Sequence, residues 1–133
     1  MRRRLALLAL PLLALAACQQ PAAVGAAPAS VVFFNQDSAA LDESGAAVVA
    51  QAAALAKERP GQAVRVRGFA ASTAGTPGFN QALANARAQH VADHLAEAGV
   101  ERSRIRIEPR GALAPSDPSF PTEARRVEIL IGG

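Results

Sequence analysis

Apolar and polar residues alternate along the chain with several distinct periods, and each period predicts an element. After Arg2, Arg3 and Arg4 the chain runs from Leu5 to Ala17 almost wholly as leucine and alanine, then meets its single cysteine, Cys18. Gln19 to Ser30 is rich in alanine, proline and glycine, uncharged and without hydrophobic period, the pattern of a tether. Val31-Val32-Phe33-Phe34 predicts a buried strand, and the turn-forming Asn35-Gln36-Asp37-Ser38 predicts the loop after it. Val48, Val49, Ala52, Leu55 and Ala56 recur at helical spacing behind a cap at Asp42 or Ser44, and Arg59-Pro60-Gly61 ends that helix. Ala63 to Phe69 alternates apolar residues with Arg65 and Arg67, a strand with one buried face and solvated arginines on the other. Ala70 to Gly78 reads as a small-residue loop, and Asn80 to Ala98 as a long helix stopped by Gly99. Arg104 to Glu108 alternates as a short strand, Gly111 to Thr122 reads as a proline-rich loop, and Arg126 to Ile131 as the last strand.

The order βαβαββ predicts an α+β domain with two helices packed on one face of a mixed four-stranded sheet. Residues 1–17 have the three parts of a secretory signal. Their apolar run is shorter than the roughly 20 residues of a membrane span and holds Pro11. Leu15-Ala16-Ala17-Cys18 resembles the lipobox of bacterial lipoproteins, which implies cleavage before Cys18, lipid on its thiol, and attachment to a membrane through that lipid. Residues 18–30 are then the lipidated cysteine and tether, and 31–133 the folded domain. Gln19, in place of an aspartate after the cysteine, fits a periplasm-facing outer-membrane lipoprotein by the same resemblance.

The formal charge of +3 belongs to the leader: removing Arg2 to Arg4 takes 14 basic residues to 11, against 11 acidic. With a mature charge near zero and neither tryptophan nor tyrosine, the chain has no footprint for nucleic acid.

In the second helix Leu83, Val91 and Leu95 share one stripe, and Arg87 falls inside it. A guanidinium among apolar neighbours needs an internal acid such as Glu128 or Asp37, an anionic ligand, or a route for its head to water. Asn80, Leu83, Arg87-Ala88, Val91 and Leu95 together resemble the peptidoglycan-association helix of the OmpA-like C-terminal domain family, which includes the Pal lipoproteins and MotB stator proteins. Val32 to Ser38 resembles that family's first strand and loop, Gly75-Thr76-Pro77 its middle loop, and Arg125-Arg126-Val127-Glu128-Ile129 its last strand, so the resemblance spans Val31 to Ile131.

The resemblance implies noncovalent binding of the diaminopimelate-containing stem peptide of peptidoglycan. Arg87 would take a carboxylate as a bidentate fork, with Asn80, Ser72, Asp37 and Arg126 around it. The family's Gly-His-Thr-Asp type motif, whose aspartate takes the ammonium, is here Gly68-Phe69-Ala70-Ala71-Ser72. Counting from Gly68 the acid position is Ala71, and counting back from Asn80 it is Ser72; both are uncharged. Losing one partner of such a charge pair typically costs about 2–5 kcal/mol. Asn35 and Ala124 also depart from the family's acidic residue and asparagine. The alternative is therefore a divergent domain without peptidoglycan binding, acting as a structural or protein-interaction module of an envelope assembly. No cofactor is implied. His90 and His94 have a zinc-like i,i+4 spacing but no marked third ligand, so a solvated face is the better reading, and no triad or phosphate loop suggests an enzyme.

Overall fold

The structure, a computed structural model, describes residues 30–73, 75–113 and 121–132. The expected leader, the lipidation site Cys18 and nearly all of the tether lie outside these residues.

The chain forms β1 (Ser30–Phe33), α1 (Glu43–Lys57), β2 (Val64–Ala71), α2 (Pro77–Glu97), β3 (Ile105–Leu113) and β4 (Arg126–Ile131). Short 3₁₀ turns at Arg102–Arg104 and Pro121–Ala124 precede the last two strands. The sheet order is β1-β4-β2-β3: β2 and β3 are parallel, joined through α2, while β4 is antiparallel to both β1 and β2. This is the expected mixed sheet, with β2 lying between the last two strands. Val32, Val64, Val66, Val127, Ile129 and Ile131 point from the sheet into one core with Val49, Ala52, Ala53 and Ala56 of α1 and Ala88, Val91 and Leu95 of α2. Both helices therefore cover one face, and among the described residues no element packs on the other.

Local chemistry sets the boundaries. Asp42 caps α1, its carboxylate accepting from Gly45 N at 2.7 Å. Thr76 caps α2 by accepting from Phe79 N at 3.2 Å, with Pro77 in the first turn where no amide hydrogen is needed, so α2 starts three residues earlier than expected. Gly99, at φ +101°, closes α2 as expected. Leu55 does not join the core stripe of α1. It is 39% exposed because the stripe is Gly45, Val49, Ala52, Ala53 and Ala56, and Leu55 falls at its edge.

β3 continues to Leu113, beyond the expected end at Glu108. Pro109 is tolerated because β3 is an edge strand, and a register shift opposite Gly68/Phe69 admits Arg110 as an extra residue. Gly68 is where β2 crosses beneath α2, and a Cβ there would overlap the carbonyl oxygen of Ala84. Arg65 and Arg67 are half-buried rather than fully solvated. Arg67 Nε donates to Glu108 at 2.9 Å, and Arg65 Nη2 donates to the Gly132 carbonyl at 3.4 Å.

Candidate functional site

At one end of the sheet the loop after β1, the end of β2, the first half of α2 and the residue before β4 converge on a pocket of about 150 Å³. Gln36, Asp37, Ala71, Thr73, Asn80, Leu83, Arg87 and Arg125 line it. The volume is well below the roughly 300 Å³ at which drug-sized ligand sites begin, so it suits one small head group.

Arg87 is fully buried. Its Nε donates to Ser38 O at 2.8 Å, Nη2 to Asn35 O at 2.9 Å and Nη1 to Phe69 O at 3.1 Å. Its guanidinium also stands 5.2 Å from the centroid of the Phe34 ring. Neither Glu128 nor Asp37 forms an ion pair with it: three backbone carbonyls stand where an internal acid was one of the expected partners. These bonds use three of the five N–H groups, leaving one on each terminal nitrogen. The pKa of Arg87 is pulled down to about 10, first by burial and then by Arg125, while Asp37 opposes the shift. The group therefore stays cationic at neutral pH, a buried positive charge in the pocket wall rather than an open fork.

Asn80 is 4% exposed, and among the described residues its side-chain amide makes no hydrogen bond within the chain. Its polar atoms are not sealed from solvent, so the amide opens on the pocket with its donors and acceptor free for a ligand. Arg125 is a second, half-buried cation, with Nε donating to Phe34 O at 3.2 Å and Nη2 to Thr122 Oγ1 at 3.0 Å. Asp37 takes a left-handed conformation at φ 55°, which aspartate tolerates, in the turn closed by Ser38 N donating to Asn35 O at 3.3 Å. With two cations against one carboxylate, the pocket has a net positive charge and is chemically suited to a carboxylate.

Of the residues singled out by sequence, Arg87, Asn80 and Asp37 are brought together. Ser72 is exposed and outside the lining, whereas Ala71 forms part of the wall, so the counting forward from Gly68 marks the position that faces the pocket. Arg126 is placed elsewhere. Its guanidinium lies 4.6 Å from the Phe69 ring centroid on the open face of the sheet, and its Nη2 pairs with Glu128 at 2.8 Å. Sequence reasoning missed Arg125, although strand parity pointed to it: with Val127 and Ile129 in the core, Arg126 must face the other way.

His90 Nδ1 lies 2.6 Å from Ala39 O, and His94 Nδ1 lies 3.5 Å from Glu97, so the two imidazoles have separate partners.

A family model described as the OmpA family matches residues 33–128. The probable lipoprotein YiaD of Escherichia coli (strain K12) is 38% identical over 104 residues, covering 75% of this chain and 47% of that protein. The chain thus spans about half the length of this relative. The peptidoglycan-associated lipoprotein from Burkholderia pseudomallei has the same fold, with a TM-score of 0.70 and 24% identity over 77% of this chain and 89% of that one. The OmpA-like domain of FopA1 from Francisella tularensis subsp. tularensis SCHU S4 gives 0.64 and 26% over 77% and 70%. The periplasmic domain of Helicobacter pylori MotB gives 0.65 and 23% over 78% and 74%. Matched by the family model over most of its length, with the same helices on the same mixed sheet, the chain belongs to the OmpA family.

Proposed function

We propose that this chain is an outer-membrane lipoprotein, lipidated on Cys18 and facing the periplasm. On this reading its OmpA domain binds peptidoglycan noncovalently through a carboxylate of the diaminopimelate-containing stem peptide, tethering membrane to cell wall. The leader pattern and the lipoprotein relative support the anchor. One observation carries the binding: the side-chain amide of Asn80, with no bond within the chain among the described residues, opens on a small pocket with Arg87 and Arg125, neither of which is neutralised by a paired acid. On this reading Arg125 and Asn80 touch the ligand carboxylate, over the fixed charge of Arg87, with Asp37 in the pocket wall and Ser72 outside it.

Co-sedimentation of the mature chain with purified diaminopimelate-type peptidoglycan tests this. Saturable retention is expected, and Asn80→Ala lowers it roughly tenfold, the loss of one hydrogen bond to a charged group at about 1.5 kcal/mol, with the fold unchanged. Absence of retention at low salt refutes the function. The uncharged Ala71 favours a second reading, a domain that has lost this ligand and serves as an interaction module of the envelope. That reading predicts no retention and no effect of Asn80→Ala.

A further inference from the structure

The open face of the sheet carries a charge pattern that the pocket does not explain. The strand registers arrange its side chains in three rows. Phe33, Arg126 and Phe69 form the first, with Arg110 beyond them at the register shift. Val31, Glu128, Arg67 and Glu108 form the second, and Leu130, Arg65 and Arg106 the third. The face thus holds five arginines and two glutamates, a net +3, or +2 if Glu123 in the turn before β4 is included. The mature chain has 11 basic and 11 acidic residues, so this face concentrates positive charge that the rest balances.

Both glutamates are already engaged. Glu128 pairs with Arg126 at 2.8 Å, and Glu108 pairs with Arg67 at 2.9 Å and Arg110 at 3.6 Å. The third row has no acid. Arg65 reaches only the Gly132 carbonyl and leaves a buried Nε without a partner, and among the described residues exposed Arg106 makes no hydrogen bond or ion pair. Neighbouring rows lie about 7 Å apart along the strands, less than the Debye length of about 8 Å at physiological salt, so a partner feels these cations together. Phe33, 51% exposed on edge strand β1, adds an aromatic ring to the rim.

We infer that this open face, through Arg65, Arg106 and Arg110 with Phe33 at its edge, docks on an anionic phospholipid bilayer. Guanidinium groups spread over a broad sheet match a plane of phosphates, and an edge phenylalanine suits the acyl boundary. The proximity argument rests on the anchor proposed above. Ser30, where β1 begins, is 12 residues from Cys18, which limits the domain to about 40 Å from a lipid on that cysteine. The pocket is lined by the loop after β1, the end of β2, α2 and the residue before β4, so it lies at one end of the sheet and shares no residue with these rows.

The test is co-flotation of the unlipidated mature chain with vesicles of 30% phosphatidylglycerol in phosphatidylcholine, beside pure phosphatidylcholine. Partitioning at least tenfold stronger to the anionic vesicles is expected, falling steeply between 0.05 and 0.5 M salt. R106Q/R110Q brings it close to the neutral-vesicle level with thermal stability and peptidoglycan retention intact, because both side chains are exposed and outside the pocket. R102Q, which removes one charge from the helix side, changes it less than twofold. Equal partitioning to both vesicles, an R102Q loss as large as that of R106Q/R110Q, or equally tight binding to polyglutamate, which points to an acidic protein, overturns the proposal. Peptidoglycan is absent from the assay, so failure here is separate from failure of the pocket.

Discussion

Truncating Arg87 tests whether it is a scaffold for the pocket as well as a charge within it. Its three hydrogen bonds join α2 to the carbonyls of Asn35, Ser38 and Phe69, tying the loop after β1 and the end of β2 to the helix. Bonds to a charged group contribute about 1.5–3 kcal/mol each, so together roughly 4.5–9. Opposing them is the burial that pulls the pKa down from the ordinary arginine value to about 10. That drop corresponds to at most about 3.5 kcal/mol against the cation, less whatever solvent screening reaches through the pocket mouth. The bonds win, and Arg87→Ala is expected to destabilise the domain by about 3 kcal/mol, since water entering the vacated site satisfies part of what the carbonyls lose. For a domain of this size that lowers Tm by roughly 12–24 °C. Arg87→Lys, a point charge without the fork, falls between wild type and alanine. Thermal and urea unfolding of the three proteins read this directly. A loss under about 0.5 kcal/mol for Arg87→Ala sinks the scaffold argument. Because the large loss is expected, failure of Arg87→Ala to bind peptidoglycan carries weight only where folding has been verified, which is why Asn80→Ala is the cleaner probe.

Gly68→Ala places a methyl group against the Ala84 carbonyl and forces β2 away from α2; a loss of about 3 kcal/mol with unchanged m-value is expected in urea, and a neutral substitution contradicts the close approach. Retention on peptidoglycan is expected to be flat from pH 5 to 9. The folded pKa of Arg87 lies below its unfolded value, so burying its charge opposes folding at every pH below about 10 and is relieved only as pH rises from there towards the ordinary arginine range, outside that window. Retention falls only below about pH 4, as the ligand carboxylate protonates. A midpoint near 6.5 assigns binding to a histidine instead.

Most of the fold was legible because its strands are half-buried: Val64-Arg65-Val66-Arg67 and Arg126 to Ile131 alternate as a two-faced sheet must, and β4 matches residue for residue. Signals read singly went astray. Pro77 looked like the turn it often marks, but after the Thr76 cap it opens α2. The strand expected to end at Glu108 runs on through Pro109, whose missing amide hydrogen interrupts nothing on an edge. In the site, the residue types at positions 80 and 87 marked the pocket, while the partners of Arg87 are main-chain carbonyls, which every residue possesses and no sequence pattern distinguishes. Naming Arg126 where the structure offers Arg125 was a one-residue slip, and in a strand one residue is the width of the sheet.

The charge balance of the pocket leads to the most discriminating substitution. Arg87 and Arg125 face one carboxylate, Asp37, so the site offers attraction to a ligand acid and nothing dedicated to a ligand ammonium. Ala71 lies on the wall, 9% exposed, at the position where the resemblance expects an acid. Ala71→Asp puts a carboxylate there, with two guanidinium groups lining the same pocket to keep it ionised. A restored partner for a partly buried charge contributes about 2–5 kcal/mol, so a ligand with a free ammonium beside its carboxylate is expected to bind at least tenfold more tightly. The same stem peptide with that amine acetylated gains nothing, and loses some affinity to the added negative charge. Titration calorimetry with the two peptides separates the cases: equal gains for both mean that the substitution acts on the fold rather than on the ammonium. If neither peptide binds more tightly, the wall at position 71 is not where the ligand's second charge lies, and the reading of this pocket as the seat of the diaminopimelate end of the peptide is wrong.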